Sequence, residues 1–233
     1  MYGIRYFDMR VGYYAETEEK FWANHHFARV NPLPEIFAHV KRFLNETNEI
    51  IILDFHRFPV GFYNHQDRHH QLANYLLTEF EDYLVPEEYG VNITLAELWK
   101  SDKRLIVAYN HDVTASYGNY LWKGIPQKWG NKQVVSELND FLHGTMAKHR
   151  DILYIWADMA ELTPTAFDII LKPNLGLRKM ADEVNRNLTI WAREDWWDKA
   201  NIVATDFFLG NNIIDIALEA NLRRRWCLDA AVL

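Results

Sequence analysis

The sequence predicts an α/β protein built around a parallel sheet. Three observations predict it. Short apolar runs alternate with longer amphipathic segments along the 233 residues, hydrophobic residues make up 49% of the chain, and no internal repeat or low-complexity stretch breaks the alternation. A chain of this length suits one large domain, or at most two small ones, and the absence of an obvious linker favours one. No glycine-rich loop follows the first strand, which argues against a dinucleotide site. The alternatives left open are a doubly wound sheet and a barrel, and right-handed crossovers are expected in both.

The elements follow in order. Gly3 to Val11 reads as a strand, with Ile4, Tyr6 and Asp8 on one face and Arg5, Phe7 and Met9 on the other. Pro34 to Leu44 reads as a helix whose apolar stripe is Ile36, Phe37, Val40, Phe43 and Leu44. Glu49 to Phe55 is a buried strand around Ile50-Ile51-Ile52-Leu53, and His69 to Leu84 is a helix. Thr94 opens a short helix, with Glu97 spaced for a capping box. Arg104 to Tyr109 is a strand, Lys132 to His149 a helix and Asp151 to Ala157 a strand. Leu175 to Trp197 is helical, Asn201 to Phe207 a strand and Asn212 to Ala220 a helix.

Composition narrows the function classes. A net charge of −7 lacks the basic footprint of a nucleic-acid binder, and the one dense basic run, Arg223-Arg224-Arg225, reads as a solvated tail. A single cysteine, Cys227, excludes an internal disulfide and a cysteine zinc site. No apolar run reaches the roughly 18 residues of a membrane-spanning helix. Three glycosylation-type triplets, at Asn45, Asn92 and Asn187, tilt the expected compartment toward the secretory route. Nine Trp, twelve Tyr and thirteen Phe fill a core or line a groove. Trp22, Phe58, Phe62 and Tyr63 are candidates for a membrane-facing rim.

Active residues of parallel α/β proteins gather at the C-terminal ends of strands. Asp8 and Arg10 share a face there, either as a structural ion pair or as a phosphate site in which Asp8 orients the surroundings of Arg10. Asn24-His25-His26-Phe27 offers an imidazole for proton transfer, and adjacent residues of an extended segment face opposite ways. Asp54 and His56 share a face at the end of an apolar strand, where packing explains them as well as chemistry does. Asp206 closes the last strand, either to cap the next helix or to orient a histidine. The histidines along Asn64 to His70 precede a helix and read as its solvated start rather than as a metal cluster.

Taken together, these segments resemble the X domain of phosphatidylinositol-specific phospholipase C, and most closely its small single-domain animal members. Gly3-Ile4-Arg5-Tyr6-Phe7-Asp8-Met9-Arg10 is similar to the family's Arg-bearing strand, and Asn24-His25-His26 to its His-Gly motif. Glu49-Ile50-Ile51-Ile52-Leu53-Asp54-Phe55, Thr94-Leu95 with Leu98-Trp99, and Leu121-Trp122 resemble further family segments in the same order. So do Trp129-Gly130-Asn131, Leu162-Thr163-Pro164, and Asn201-Ile202-Val203 with Asp206-Phe207. The resemblance implies a distorted TIM-type (β/α) barrel over residues 1–222, missing the first strand and helix, and a tail over 223–233.

It also implies cleavage of a phosphatidylinositol-type phosphodiester by attack of the inositol 2-hydroxyl. Arg10 would hold the phosphate, Asp8 would support it, His25 or His26 would act as general acid, and Asp206 would orient the general-base histidine. Asp54, His56 and Tyr109 are the expected substrate-binding residues. An arginine at position 10, where the calcium-dependent branch has an acidic ligand, implies metal-independent chemistry without a cofactor. The implied partner is a phosphoinositide or related lipid, met by peripheral membrane contact.

Two departures qualify this. The family's His-Asp strand has no counterpart, so the chain is expected to lack its general base and to be impaired by a factor on the order of 10²–10⁴. The glycine of the His-Gly motif is replaced by His26 or Phe27. The alternative is a non-catalytic relative that binds inositol lipids. A metal-dependent phosphodiesterase is a third reading, against which Arg10 speaks.

Overall fold

The computed structural model describes residues 3–25, 27–148, 154–164 and 176–230, with side chains to 225. The chain sorts into two compact units, Arg5–Ile125 and Pro126–Leu233 with Met1–Ile4.

The first unit holds a six-stranded sheet in the order β3-β2-β1-β4-β5-β6. Its strands are β1 (Tyr6–Tyr13), β2 (Phe21–His25), β3 (Ala28–Pro32), β4 (Ile51–Val60), β5 (Leu105–Tyr109) and β6 (Trp122–Lys123). β1, β4, β5 and β6 run parallel, and β2 and β3 add an antiparallel hairpin. The edge of β1 away from β4 is thus paired with β2. Helices α1 (Leu33–Glu46), α2 (Gln66–Phe80) and α3 (Leu95–Ser101) accompany the sheet. Pro34 in the first turn and Glu35 beside the positive helix end favour the start of α1. At α3 the expected capping box is formed, with Thr94 and Glu97 satisfying each other's backbone N–H groups.

Side-chain alternation divides this sheet into two unlike faces. Met9 and Val11 of β1, Ile51, Leu53 and Phe55 of β4, and Leu105, Val107 and Tyr109 of β5 are buried in one cluster. Phe37 and Leu44 of α1 and Leu72, Leu76 and Phe80 of α2 complete it. The intervening residues, including Asp8, Arg10, Asp54 and His56, turn to the other face. β4 runs five residues beyond the expected Phe55, because its backbone keeps pairing with β1 after the polar His56 and Arg57 end the apolar run.

The start of α2 departs from expectation. His69 is buried rather than solvated, and its ring stacks on His111 at 3.6 Å and 9°. Its Nδ1 lies 2.9 Å from the Tyr109 hydroxyl, and Phe58 and Phe62 close over it. Phe58 and Phe62 therefore belong to the core and not to a membrane rim. Of the four rim candidates, Tyr63 is the one strongly exposed, at 86%.

The second unit has a parallel three-stranded sheet, β7 (Gln127–Lys128), β8 (Ala157–Met159) and β9 (Ile202–Ala204). Helices α4 (Val135–Lys148), α5 (Leu177–Glu194) and α6 (Ile213–Ala230) bury Leu138, Leu142, Met146, Leu188 and Trp196 in its core. The strand expected over 151–157 begins only at Ala157, and residues 151–153 and Leu175 lie outside the described residues. The last helix runs ten residues past the expected Ala220. Arg223 is accordingly helical rather than part of a tail, and it pairs with Glu219 one turn back. Among the described residues the strands form two sheets and no closed ring.

Burial and the nearby His111 and His70 push the His69 imidazole down to about 4. Its folded value lies below the unfolded one, so the folded state disfavours the proton and loses stability as pH falls from about 6.5 to 4. The loss is on the order of 3 kcal/mol. Urea unfolding midpoints followed across this window should drop less steeply in His69→Gln than in the unsubstituted chain.

Candidate functional site

The polar face of the first sheet carries the candidate site. In the β1–β4 ladder Tyr6 pairs with Ile52 and Asp8 with Asp54, so residues two apart on each strand share this face. Arg10 donates from Nε and Nη2 to the same carboxylate oxygen of Asp8, at 3.2 and 2.9 Å. A side-on guanidinium usually spans both oxygens of its partner. Here Asp8 Oδ1 is left buried without a hydrogen-bond partner among the described residues. Both side chains keep partial access to solvent, at 16% for Asp8 and 27% for Arg10.

Asp54 is fully buried, and a buried carboxylate is costly unless donors surround it. The Tyr6 hydroxyl donates to Oδ2 at 2.9 Å and the Ile125 N–H to Oδ1 at 3.3 Å. His56 Nδ1 stands 3.5 Å from Oδ2. The end of β4 is held by Asn110, whose N–H donates to the Phe55 carbonyl and whose Nδ2 donates to that of His56. Gly124 lets Asn110 approach, since a Cβ there would meet the Asn110 Cβ at 2.6 Å.

Beyond β1 the face continues onto the hairpin. Ala23 pairs with Val11 and Trp22 with Gly12. The Asn24 side chain lies over Gly12, where an added Cβ would meet its Oδ1 at 2.6 Å, and its Nδ2 donates to the Tyr14 hydroxyl at 2.7 Å. Asn24 is therefore the β2 residue on the Arg10 face. Alternation turns the next residue, His25, to the opposite side, where it is exposed. Of the two histidines expected as general acid, this register turns His25 away from Arg10. His26 lies outside the described residues.

Tyr109 also requires correction as a substrate-binding residue. It is an odd-numbered residue of β5, facing the helices with its hydroxyl on His69, and burial pushes its phenol well above the usual range. Asp206 belongs to the second unit, in the turn after β9, where Asn185 Nδ2 donates to its carbonyl at 3.1 Å. The structure thus brings Asp8, Arg10, Asp54 and His56 together, with Tyr6 and Asn24 as members that motif reading passed over. Among the described residues, no group of three or more His, Cys, Asp or Glu side chains is placed to hold a metal ion.

No protein-family model matches the chain. Human PI-PLC X domain-containing protein 1 is 27% identical over 237 residues, covering 97% of this chain and 70% of the human protein. Human PI-PLC X domain-containing protein 3 is 27% identical over 94% of this chain and 69% of its own length. The chain is a relative of the PI-PLC X domain-containing proteins. A variant-surface-glycoprotein phospholipase C of Trypanosoma brucei brucei is 28% identical over 63% of this chain and 41% of that protein. The fold is also that of a phosphatidylinositol-specific phospholipase C of Staphylococcus aureus, solved in work on modulation of its membrane binding. It aligns with a TM-score of 0.71 at 12% identity over 94% of this chain and 80% of that one.

As in the first unit, this PI-PLC X-domain relative carries a buried carboxylate at a strand end of its second unit. Asp158 of β8 accepts from Trp156 Nε1 at 2.9 Å, while its Oδ1 is buried with no hydrogen-bond partner among the described residues. Burial pushes its carboxyl up to about 6, against the pull of the Trp156 hydrogen bond and of Lys128. Motif reading missed it, although a lone carboxylate inside Trp156-Ala157-Asp158-Met159-Ala160 was the available signal. A carboxyl whose folded value is raised contributes stability below its unfolded value, near 4, and loses it as pH rises through about 6. Asp158→Asn should therefore be the more stable form above pH 6, by a few kcal/mol, and the difference should vanish near pH 4. Urea melts of both forms at the two pH values check this.

Proposed function

We propose that this chain cleaves phosphatidylinositol-type phosphodiesters, with Arg10 holding the phosphate. The single observation that carries the reading is the Asp8–Arg10 pair. A guanidinium and a buried, unmatched carboxylate oxygen stand side by side on the polar face. The guanidinium suits a phosphate, and the free acceptor suits a hydroxyl next to it. A phosphorylated polyol presents both groups. The similarity to PI-PLC X domain-containing proteins supports phosphatidylinositol as the lipid. Asp54 and Tyr6 keep the face polar beneath the ligand. The reaction is attack on phosphorus by the hydroxyl adjacent to the phosphate, and it yields a cyclic inositol phosphate.

Lipid substrates require contact with a membrane. Phe27 at the tip of the β2–β3 hairpin and Tyr63 after β4 are exposed at 81% and 86%. Large rings this open to water suit a bilayer interface.

The test uses phosphatidylinositol vesicles, with product followed by phosphorus NMR. The unsubstituted chain should release cyclic inositol phosphate, and Arg10→Ala should lower the rate by a factor on the order of 10²–10³. Arg10→Lys should recover only part of it, because a point charge does not reproduce the guanidinium fork. Vesicle binding that depends on Arg10 without any product would identify a non-catalytic lipid binder instead.

A further inference from the structure

We propose that His56 is the proton acceptor of this site and that Asp54 is its positioning residue, an inference that rests on the phosphodiester-cleaving function proposed above. Among the described residues, His56 is the imidazole that strand alternation brings to the face of Arg10. His25 faces the other way, and His69 is engaged with Tyr109 on the apolar side.

The backbone places His56 by a local irregularity. Met9 pairs with Phe55 and the next residue, Arg10, pairs with Arg57, so β4 spends one extra residue on the step and that residue is His56. Such a bulge re-aims a side chain and frees it from the ladder. Asn110 fixes the His56 carbonyl from the neighbouring loop. The side chain is 15% exposed, buried enough to be held and open enough to meet a ligand.

The ring's surroundings match a proton-transfer role. Its Nδ1 is buried, makes no hydrogen bond in this conformation, and lies 3.5 Å from Asp54 Oδ2. That oxygen is itself fixed by the Tyr6 hydroxyl. A proton on Nδ1 directed at Asp54 leaves Nε2 unprotonated, and an imidazolium formed there gains the adjacent carboxylate. The charged groups beside the ring are Asp8 and Arg10, which pair with each other, and Arg57, which the ladder sets opposite Arg10.

The step balances as follows. The hydroxyl next to the phosphate gives its proton to His56 Nε2 as its oxygen forms a bond to phosphorus. The bond from phosphorus to the leaving alcohol breaks, and its electron pair goes to the departing oxygen. That oxygen takes a proton from water, and the imidazolium returns its proton to solvent.

The experiment measures kcat, KM and the pH–rate profile on phosphatidylinositol vesicles for the unsubstituted chain, His56→Ala, His25→Ala, Asp54→Asn and Arg10→Ala. His56→Ala should lower kcat by a factor on the order of 10²–10⁴ with little change in KM. It should also lose the fall in rate at low pH, and added imidazole should restore part of kcat. Asp54→Asn should lower kcat yet keep the low-pH fall. If His56→Ala does not fold, as judged by circular dichroism, His56→Gln is read by the same criteria without the imidazole arm. A His56 variant within about threefold of the unsubstituted rate overturns the inference. So does a loss confined to His25→Ala, while either result leaves the Arg10-dependent function standing. Absence of turnover in the unsubstituted chain overturns both.

Discussion

The fully buried carboxylate of Asp54 is the constraint around which the first unit is arranged. An ionised carboxylate out of water is tolerated only where donors surround it. Donors from one strand and one loop meet that requirement, with an imidazole nearby. β1 supplies Tyr6, β4 supplies Asp54 and His56, and the segment after β6 brings the Ile125 N–H. Asn110, at the end of β5, fixes the β4 backbone at the same level. Tyr6 and Ile125 reach the carboxylate only in this arrangement, so the parallel register of β1, β4 and β5 and the polarity of this face are maintained together.

That register also determines what the face can do. A strand alternates strictly, so one polar residue in two is available and the rest go to the core. Asp8 and Arg10 fall on the polar side because Met9 and Val11 are needed under α1 and α2. His56 follows Asp54 by two on this side, and the bulge there sets Arg57 opposite Arg10. The hairpin β2–β3 extends the same rule to Asn24, whose proximity to Gly12 leaves no space for a β-carbon.

Much of this was legible in the sequence. The β1 motif placed Asp8 and Arg10 together by periodicity alone, and the Thr94–Glu97 spacing gave its capping box. What was not legible depended on register between strands. Motif order pointed to His25, but the pairing of Val11 with Ala23 gives the adjacent position to Asn24. Tyr109 sits at a strand end, as a site residue should, yet its parity sends it into the core. The His69–His111 stack joins residues from a helix start and a loop, and no local pattern announces it. Asp158 was hidden because a strand only three residues long, centred on a carboxylate, does not read as a strand.

Asp8 and Asp158 share one property although they belong to different units. Each has one oxygen satisfied by a neighbour two residues away and the other buried without a partner among the described residues. Folded proteins leave few such atoms, because each costs on the order of 1–3 kcal/mol. A chain selected for stability alone would place an apolar residue or a second donor there. The raised carboxyl of Asp158 expresses that cost directly, since burial opposes its charge more than Trp156 and Lys128 favour it. A donor from water or from a ligand rich in hydroxyls would offset that cost. The unmatched oxygen of Asp8 is thus a physical reason, independent of motif order, that agrees with the phosphate-holding role proposed for the Asp8–Arg10 pair.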